Sequence, residues 1–151
     1  MWSGRRGFAV ASFFERCLIG GAQEEWPLMN TDELTELVIG AFLEVSNTLG
    51  AGFLEKVYER ALLRELGLRG IRAKAQVSFS VMYKGLSVGD YYADIVVEDL
   101  LVIELKCVDR LVDEHLAQCL NYLKASGREI CLLVNFQRPR VEWKRVRLFG
   151  D

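Results

Sequence analysis

Glu104-Leu105-Lys106 sets a carboxylate and an ammonium two residues apart, inside the otherwise apolar run Leu101 to Cys107. On an extended strand, positions i and i+2 share a face, so both charges emerge side by side from a segment that reads as core. Charges in such a place are costly without a partner or a function. Asp94 lies on the preceding apolar run, and Glu98-Asp99 between the two runs reads as a tight turn. With that turn near Asp99, Asp94 and Glu104 fall nearly opposite each other on antiparallel strands, their Cβ atoms roughly 5 Å apart. Two carboxylates that close repel unless a cation sits between them. Mg²⁺ or Mn²⁺ suits such a site, being a hard ion that takes one or two carboxylates together with waters and phosphate oxygens. Lys106 would then position or deprotonate the attacking water, or stabilise charge on a phosphate. The plain alternative is a structural ion pair with a spare acid.

Other polar residues fall on the margins of helical stripes. Glu55 is in register with Tyr58 and Leu62, which puts it at the edge of a buried face; as a first-turn acid it is also favoured by the helix dipole. His115, Gln118 and Tyr122 lie within roughly 60° of one another on a helical wheel, beside the apolar stripe of Val112, Leu116, Cys119, Leu120 and Leu123. Gln118 and Tyr122 could hold a phosphate, a water or the lysine. His115 is read as a hydrogen-bonding residue rather than a metal ligand, or simply as a helix-boundary residue.

The elements that must position these residues follow from periodicity. Thr31-Asp32-Glu33 opens a helix that ends near Leu49, before Gly50-Ala51-Gly52. A second helix is predicted from Leu54 to Leu66, stopped by Gly67. Alternation predicts strands over Gln76–Val81, Tyr91–Val97 and Leu101–Cys107, with a turn at Lys84-Gly85. A helix over Val112–Ala125, a buried strand over Ile130–Phe136 and an edge strand over Val141–Leu148 complete the chain.

Hydrophobic residues make up 51% and charged residues 26% of the 151, a globular composition long enough for one domain with a real core. The net charge of −2 argues against a generally basic nucleic-acid binder. Backbone contacts would have to come from a local patch; Lys84, Arg110, Lys124, Arg138, Arg140, Lys144 and Arg145 are the candidates, the last four around Trp143, although a charged edge strand is at least an equal explanation. Cys17, Cys107, Cys119 and Cys131 show no CxxC spacing, which argues for free thiols in a reducing cytoplasm and against zinc or an iron–sulfur cluster. No apolar run is long enough to span a bilayer. Residues 1–28 read as an extension of unclear role, and residues 29–151 as the domain.

Gly52-Phe53-Leu54-Glu55-Lys56-Val57-Tyr58 resembles the signature of the GxxExxY proteins, a branch of the PD-(D/E)XK nuclease superfamily. The resemblance extends over about residues 30–148. It takes in Asp94, Glu104-Leu105-Lys106, the Gln118 to Tyr122 run, similar to the QxxxY motif of RecB-type nucleases, and Asn135-Phe136; Ala93 stands where the superfamily name has proline. It implies an α/β fold with a restriction-endonuclease-like αβββαβ core, a mixed central sheet flanked by helices. It further implies that Glu55, Asp94 and Glu104 hold the metal, that Lys106 is the catalytic lysine, and that Gln118 and Tyr122 support the site. The activity implied is hydrolysis of phosphodiester bonds in DNA, or RNA, with a metal-activated water. The competing expectation is a catalytically inactive member of the same fold that binds nucleic acid or protein; a homodimer is compatible with both.

Overall fold

The computed structural model describes residues 29–149; the extension expected over residues 1–28, with Cys17, lies outside them. Two helices come first, α1 (Thr31–Leu49) and α2 (Glu55–Leu68), then strands β1 (Ala73–Tyr83), β2 (Leu86–Val97) and β3 (Leu101–Lys106), helix α3 (Asp113–Ser126), and strands β4 (Ile130–Asn135) and β5 (Glu142–Arg147). The five strands form one sheet in the order β1-β2-β3-β4-β5. Only the β3–β4 pairing is parallel, with Glu104 beside Leu133 and Lys106 beside Asn135; the other neighbours run antiparallel. The helix α3 crossover between β3 and β4 is what a parallel pair requires. This is the mixed α/β sheet, flanked by helices, that the αβββαβ reading anticipates.

Each face of the sheet has its own core. Leu34, Val38 and Phe42 of α1 and Tyr58, Leu62 and Leu66 of α2 bury against Ile95, Ile103, Leu105, Leu132 and Val134. Cys119, Tyr122 and Leu123 of α3 cover Val102, Cys131, Leu133 and Val146 on the opposite face. Residues 101–105 are all buried, because helices lie on both sides of β3. Asn30 caps α1 through its Oδ1, which accepts from Asp32 N at 2.9 Å.

The observed bounds differ from the sequence reading in instructive places. The β1–β2 hairpin is several residues longer than its apolar alternation suggests, and pairing continues out to Tyr83 opposite Leu86. That outer part is exposed on both faces, so burial leaves no periodic trace in it. Helix α2 runs past Gly67 to Leu68, and Arg69 N bonds back to Glu65 O and Leu66 O. Helix α3 begins one residue later than predicted, with Val112 as its cap residue.

One irregularity shapes the site. Ala73 of β1 and Ile95 and Val97 of β2 pack with the α1–α2 core, yet Val77 and Phe79 of β1 and Ala93 and Tyr91 of β2 pack with the α3 core. These positions all share one parity, so the ribbon must turn over between them. Gln76 has φ +52°, a left-handed conformation that breaks the alternation at that point. Across the ribbon, the register runs from Ala75 opposite Ile95 to Val77 opposite Ala93, which brackets Gln76 and Asp94. Pairing of β2 with β3 also stops there, at Ile95 opposite Ile103.

Candidate active site

Asp94 sits where β2 leaves β3. The β2–β3 ladder does not reach residues 94 and 104, and the Asp94 side chain takes over its role: Oδ2 accepts from Leu105 N at 2.7 Å. The β2–β3 register, with Ile95 opposite Ile103, is the one the turn count gives, and Asp94 and Glu104 follow just past the last ladder pair. Glu104 follows directly on β3, with a side chain only 2% exposed, and its Oε1 is 3.0 Å from Lys106 Nζ. Its other oxygen, Oε2, is buried and has no hydrogen-bond partner.

That orphaned oxygen is the dominant electrostatic fact of the site. Burial, and then the neighbouring Asp94 charge, push the Glu104 carboxyl from its ordinary 4.5 up to about 8, against the pull of Lys106. Burial also raises Asp94, opposed by the Leu105 N–H and the Lys106 charge. For Lys106, burial works to lower the ammonium pKa, but the Glu104 charge and hydrogen bond outweigh it, and the net direction is upward. Two carboxylates with one lone pair unclaimed, beside a single ammonium, leave the site short of positive charge.

A divalent cation fits that deficit: Asp94 and Glu104 offer hard oxygen donors, one of them the unpartnered Glu104 Oε2. No group of three or more His, Cys, Asp or Glu side chains among the described residues is close enough together to hold a metal by itself. The Glu55 Oε1 accepts from Cys107 N at 3.3 Å, the residue after Lys106. Glu55 also acts on the site, since its charge helps to raise both Asp94 and Lys106.

The Gly52–Tyr58 segment explains how Glu55 gets there. Gly52 has φ +107°, which favours glycine. Tyr58 is fully buried, its hydroxyl donates to Gly50 O at 2.6 Å, and it accepts from Phe53 N at 3.3 Å. Its ring stacks on Phe136 at 4.7 Å. The tyrosine thus ties the loop before α2 to the core and presents Glu55, the first residue of that helix, to the end of β3.

On the other face, Gln118 Nε2 donates to the Tyr122 hydroxyl at 3.1 Å. Tyr122 is buried, and burial followed by the Glu104 charge raises its phenol, so it remains a neutral hydrogen-bonding group beside that carboxylate. Gln118 and Tyr122 are therefore brought to the site as expected. His115 is not: its Nδ1 accepts from Val112 N at 3.1 Å, closing the first turn of α3, which is the helix-boundary role. Of the basic candidates, Arg138 donates twice to Asp109 O, and Arg145 is paired with Asp32 on the α1 side of the sheet. That removes Arg145 from the face that carries Glu104. Arg140 and Lys144 are exposed and have no partner among the described residues.

The sequence reading does not single out Glu59 or Gln76, and it names Asn135 without giving it a role. Glu59, one helical turn after Glu55, is buried, bonds Gln76 Nε2 at 2.8 Å and Lys56 Nζ at 2.7 Å, and helps to raise Asp94. Gln76 stands across from Asp94 only because the register shifts by one residue between Val81 and Met82; counting back from the Lys84-Gly85 turn would put it opposite Ala93. Asn135 is fully buried and brackets Val108 with two hydrogen bonds, 3.1 Å to its N–H and 2.8 Å to its carbonyl, fixing the chain just after Lys106.

Among solved structures, the chain is similar to one titled crystal structure of SSO0001 (22% identity, 80% of this chain and 60% of that one, TM-score 0.49). It is also similar to an alkaline exonuclease from Laribacter hongkongensis (14% identity, 79% of this chain and 71% of that one, TM-score 0.47). The chain thus spans about 60% of the length of the first of these. A search of curated proteins finds no match. A family model described as the PD-(D/E)XK nuclease superfamily matches residues 32–146, a stretch that contains Asp94, Glu104 and Lys106. The chain belongs to the PD-(D/E)XK nuclease superfamily.

Proposed function

We propose that this protein is a divalent-metal-dependent nuclease that hydrolyses phosphodiester bonds, with Asp94 and Glu104 holding Mg²⁺ or Mn²⁺ and Lys106 acting beside them. The observation that carries the reading is the buried, unpartnered Glu104 Oε2 next to Asp94 at the point where two strands part. Nucleases of this superfamily generally use divalent ions. A bound ion supplies Lewis acidity at phosphorus and makes the attacking water a stronger acid. Everything else is done by the chain. Lys106, 3.0 Å from Glu104 Oε1, would stabilise charge on the phosphate and position or deprotonate the attacking water. Gln118 and Tyr122 hold a neutral donor–acceptor pair against the site, and Glu55 fixes the Cys107 amide just beyond the lysine.

The Gly52, Glu55 and Tyr58 roles favour placing the chain in the GxxExxY branch, since each residue of that signature serves to deliver Glu55. DNA is the substrate we favour, with RNA as the other candidate. The test is a panel of end-labelled DNA and RNA in single-stranded, duplex and branched forms, incubated with Mg²⁺ or Mn²⁺ beside the Lys106→Ala and Glu104→Ala proteins. Cleavage by the wild type that falls at least about a thousandfold in both variants supports the assignment. Equal cleavage in either variant rejects it.

A further inference from the structure

A groove of about 380 Å³ lies between the β1–β2 ribbon and α3, lined among others by Ser80, Met82, Tyr91, Asn121 and Lys124. One of its lining residues leads toward the candidate active site: the Tyr91 ring meets the Tyr122 ring edge-to-face at 5.6 Å, and the Glu104 charge acts on Tyr122. The turnover of the ribbon at Gln76 and Asp94 is what swings Tyr91 onto this face and creates the groove.

Its chemistry is opposite to that of the site it leads from. The site is acidic, whereas the groove's lining contains one cation and no carboxylate. The Lys124 ammonium and the Asn121 amide have no partner among the described residues, although both are exposed and point to nothing within the fold. Ser80 is engaged, donating to Asp90 at 2.9 Å, and the Tyr91 ring packs on Tyr122. A free cation, a free amide and an aromatic ring side by side match a phosphate, a base edge and a base face.

We propose that this groove binds one nucleotide of a single nucleic-acid strand on its way to or from the active site, with Lys124 on the backbone phosphate and Tyr91 and Asn121 on the base. The proposal rests on the nucleic-acid reading above and narrows it to single strands. A volume of about 380 Å³ accommodates roughly one nucleotide, near the small end of ligand-site sizes.

The experiment is fluorescence anisotropy of a labelled octathymidylate and of a matched duplex with the full chain in EDTA at low salt, so that binding is read without cleavage. Lys124→Glu is compared with Arg64→Glu, an exposed charge reversal on α2, across the sheet. We expect the wild type to prefer the single strand, and Lys124→Glu to weaken it about tenfold or more with a shallower salt dependence, while Arg64→Glu changes it less than about twofold. Asn121→Ala, a milder change, should weaken binding in the same direction. Tighter binding of the duplex, equal losses in the two charge reversals, or no binding of the octamer by the wild type would each overturn the proposal. Failure of the nuclease reading looks different: the octamer binds through Lys124, yet neither Mg²⁺ nor Mn²⁺ permits its cleavage.

Discussion

Glu104 makes the fold itself sensitive to pH, and the effect can be sized. In the unfolded chain its carboxyl titrates near 4.5; in the folded chain it is held at about 8 by burial and by Asp94. Between these values the folded state binds the extra proton, so stability falls as pH rises through the window and is constant beyond it. At about 1.4 kcal/mol per pH unit, the full span corresponds to a loss on the order of 5 kcal/mol, with roughly 3 kcal/mol of it between pH 5 and 7.5. Asp94, also raised by burial, acts in the same direction from its own ordinary value upward. Lys106 does not confuse the window: its raised pKa gives stability that is complete below 10.5 and lost only above it. The perturbation is Glu104→Gln, which keeps the shape and removes the titration. The assay is urea unfolding in EDTA at half-unit steps from pH 5 to 8. The wild-type midpoint should fall by about 2 M for a urea slope near 1.5 kcal/mol/M, and the variant's midpoint should stay nearly level. The variant is allowed a constant offset, because a buried amide nitrogen would replace an orphaned oxygen at a cost of about 1–3 kcal/mol. Adding Mg²⁺ should restore the wild type more at pH 8 than at pH 5, since the ion competes with the proton. Parallel wild-type and variant curves would refute the premise that Glu104 is buried and short of a partner.

Asp94→Asn keeps an oxygen able to accept from Leu105 N, so circular dichroism and the unfolding midpoint at pH 5 should change little, while calorimetry shows divalent affinity reduced about tenfold or more through loss of a charged ligand. Tyr58→Phe removes the bond to Gly50 O and the acceptor for Phe53 N without emptying the core; it should cost about 1–2 kcal/mol and lower kcat by loosening Glu55, with little effect on divalent affinity.

The sequence by itself determined the elements and the chemistry of the central strand. Apolar runs over 101–107 and 130–136, helical stripes before and between them, and glycine at the turns admit few arrangements, and two charges in a buried strand needed a purpose whatever the fold. The family signature then named Glu55, Gln118 and Tyr122, and each of them is at the site. What periodicity could not carry was the break in periodicity. Gln76 adopts φ +52°, the ribbon turns over, the β2–β3 ladder ends at Ile95, and Asp94 becomes a side-chain hydrogen-bond acceptor for Leu105 N. That depends on Glu59, seventeen residues before Gln76, holding its amide. The same limit applies to His115 and Arg145: a residue's type and helical or strand phase show which side it faces, but whether it meets Val112, Asp32 or a ligand is decided by what the rest of the chain brings to that side. Hydrogen bonds and ion pairs between distant segments are short-range and specific, so they exist only once packing has set the distances.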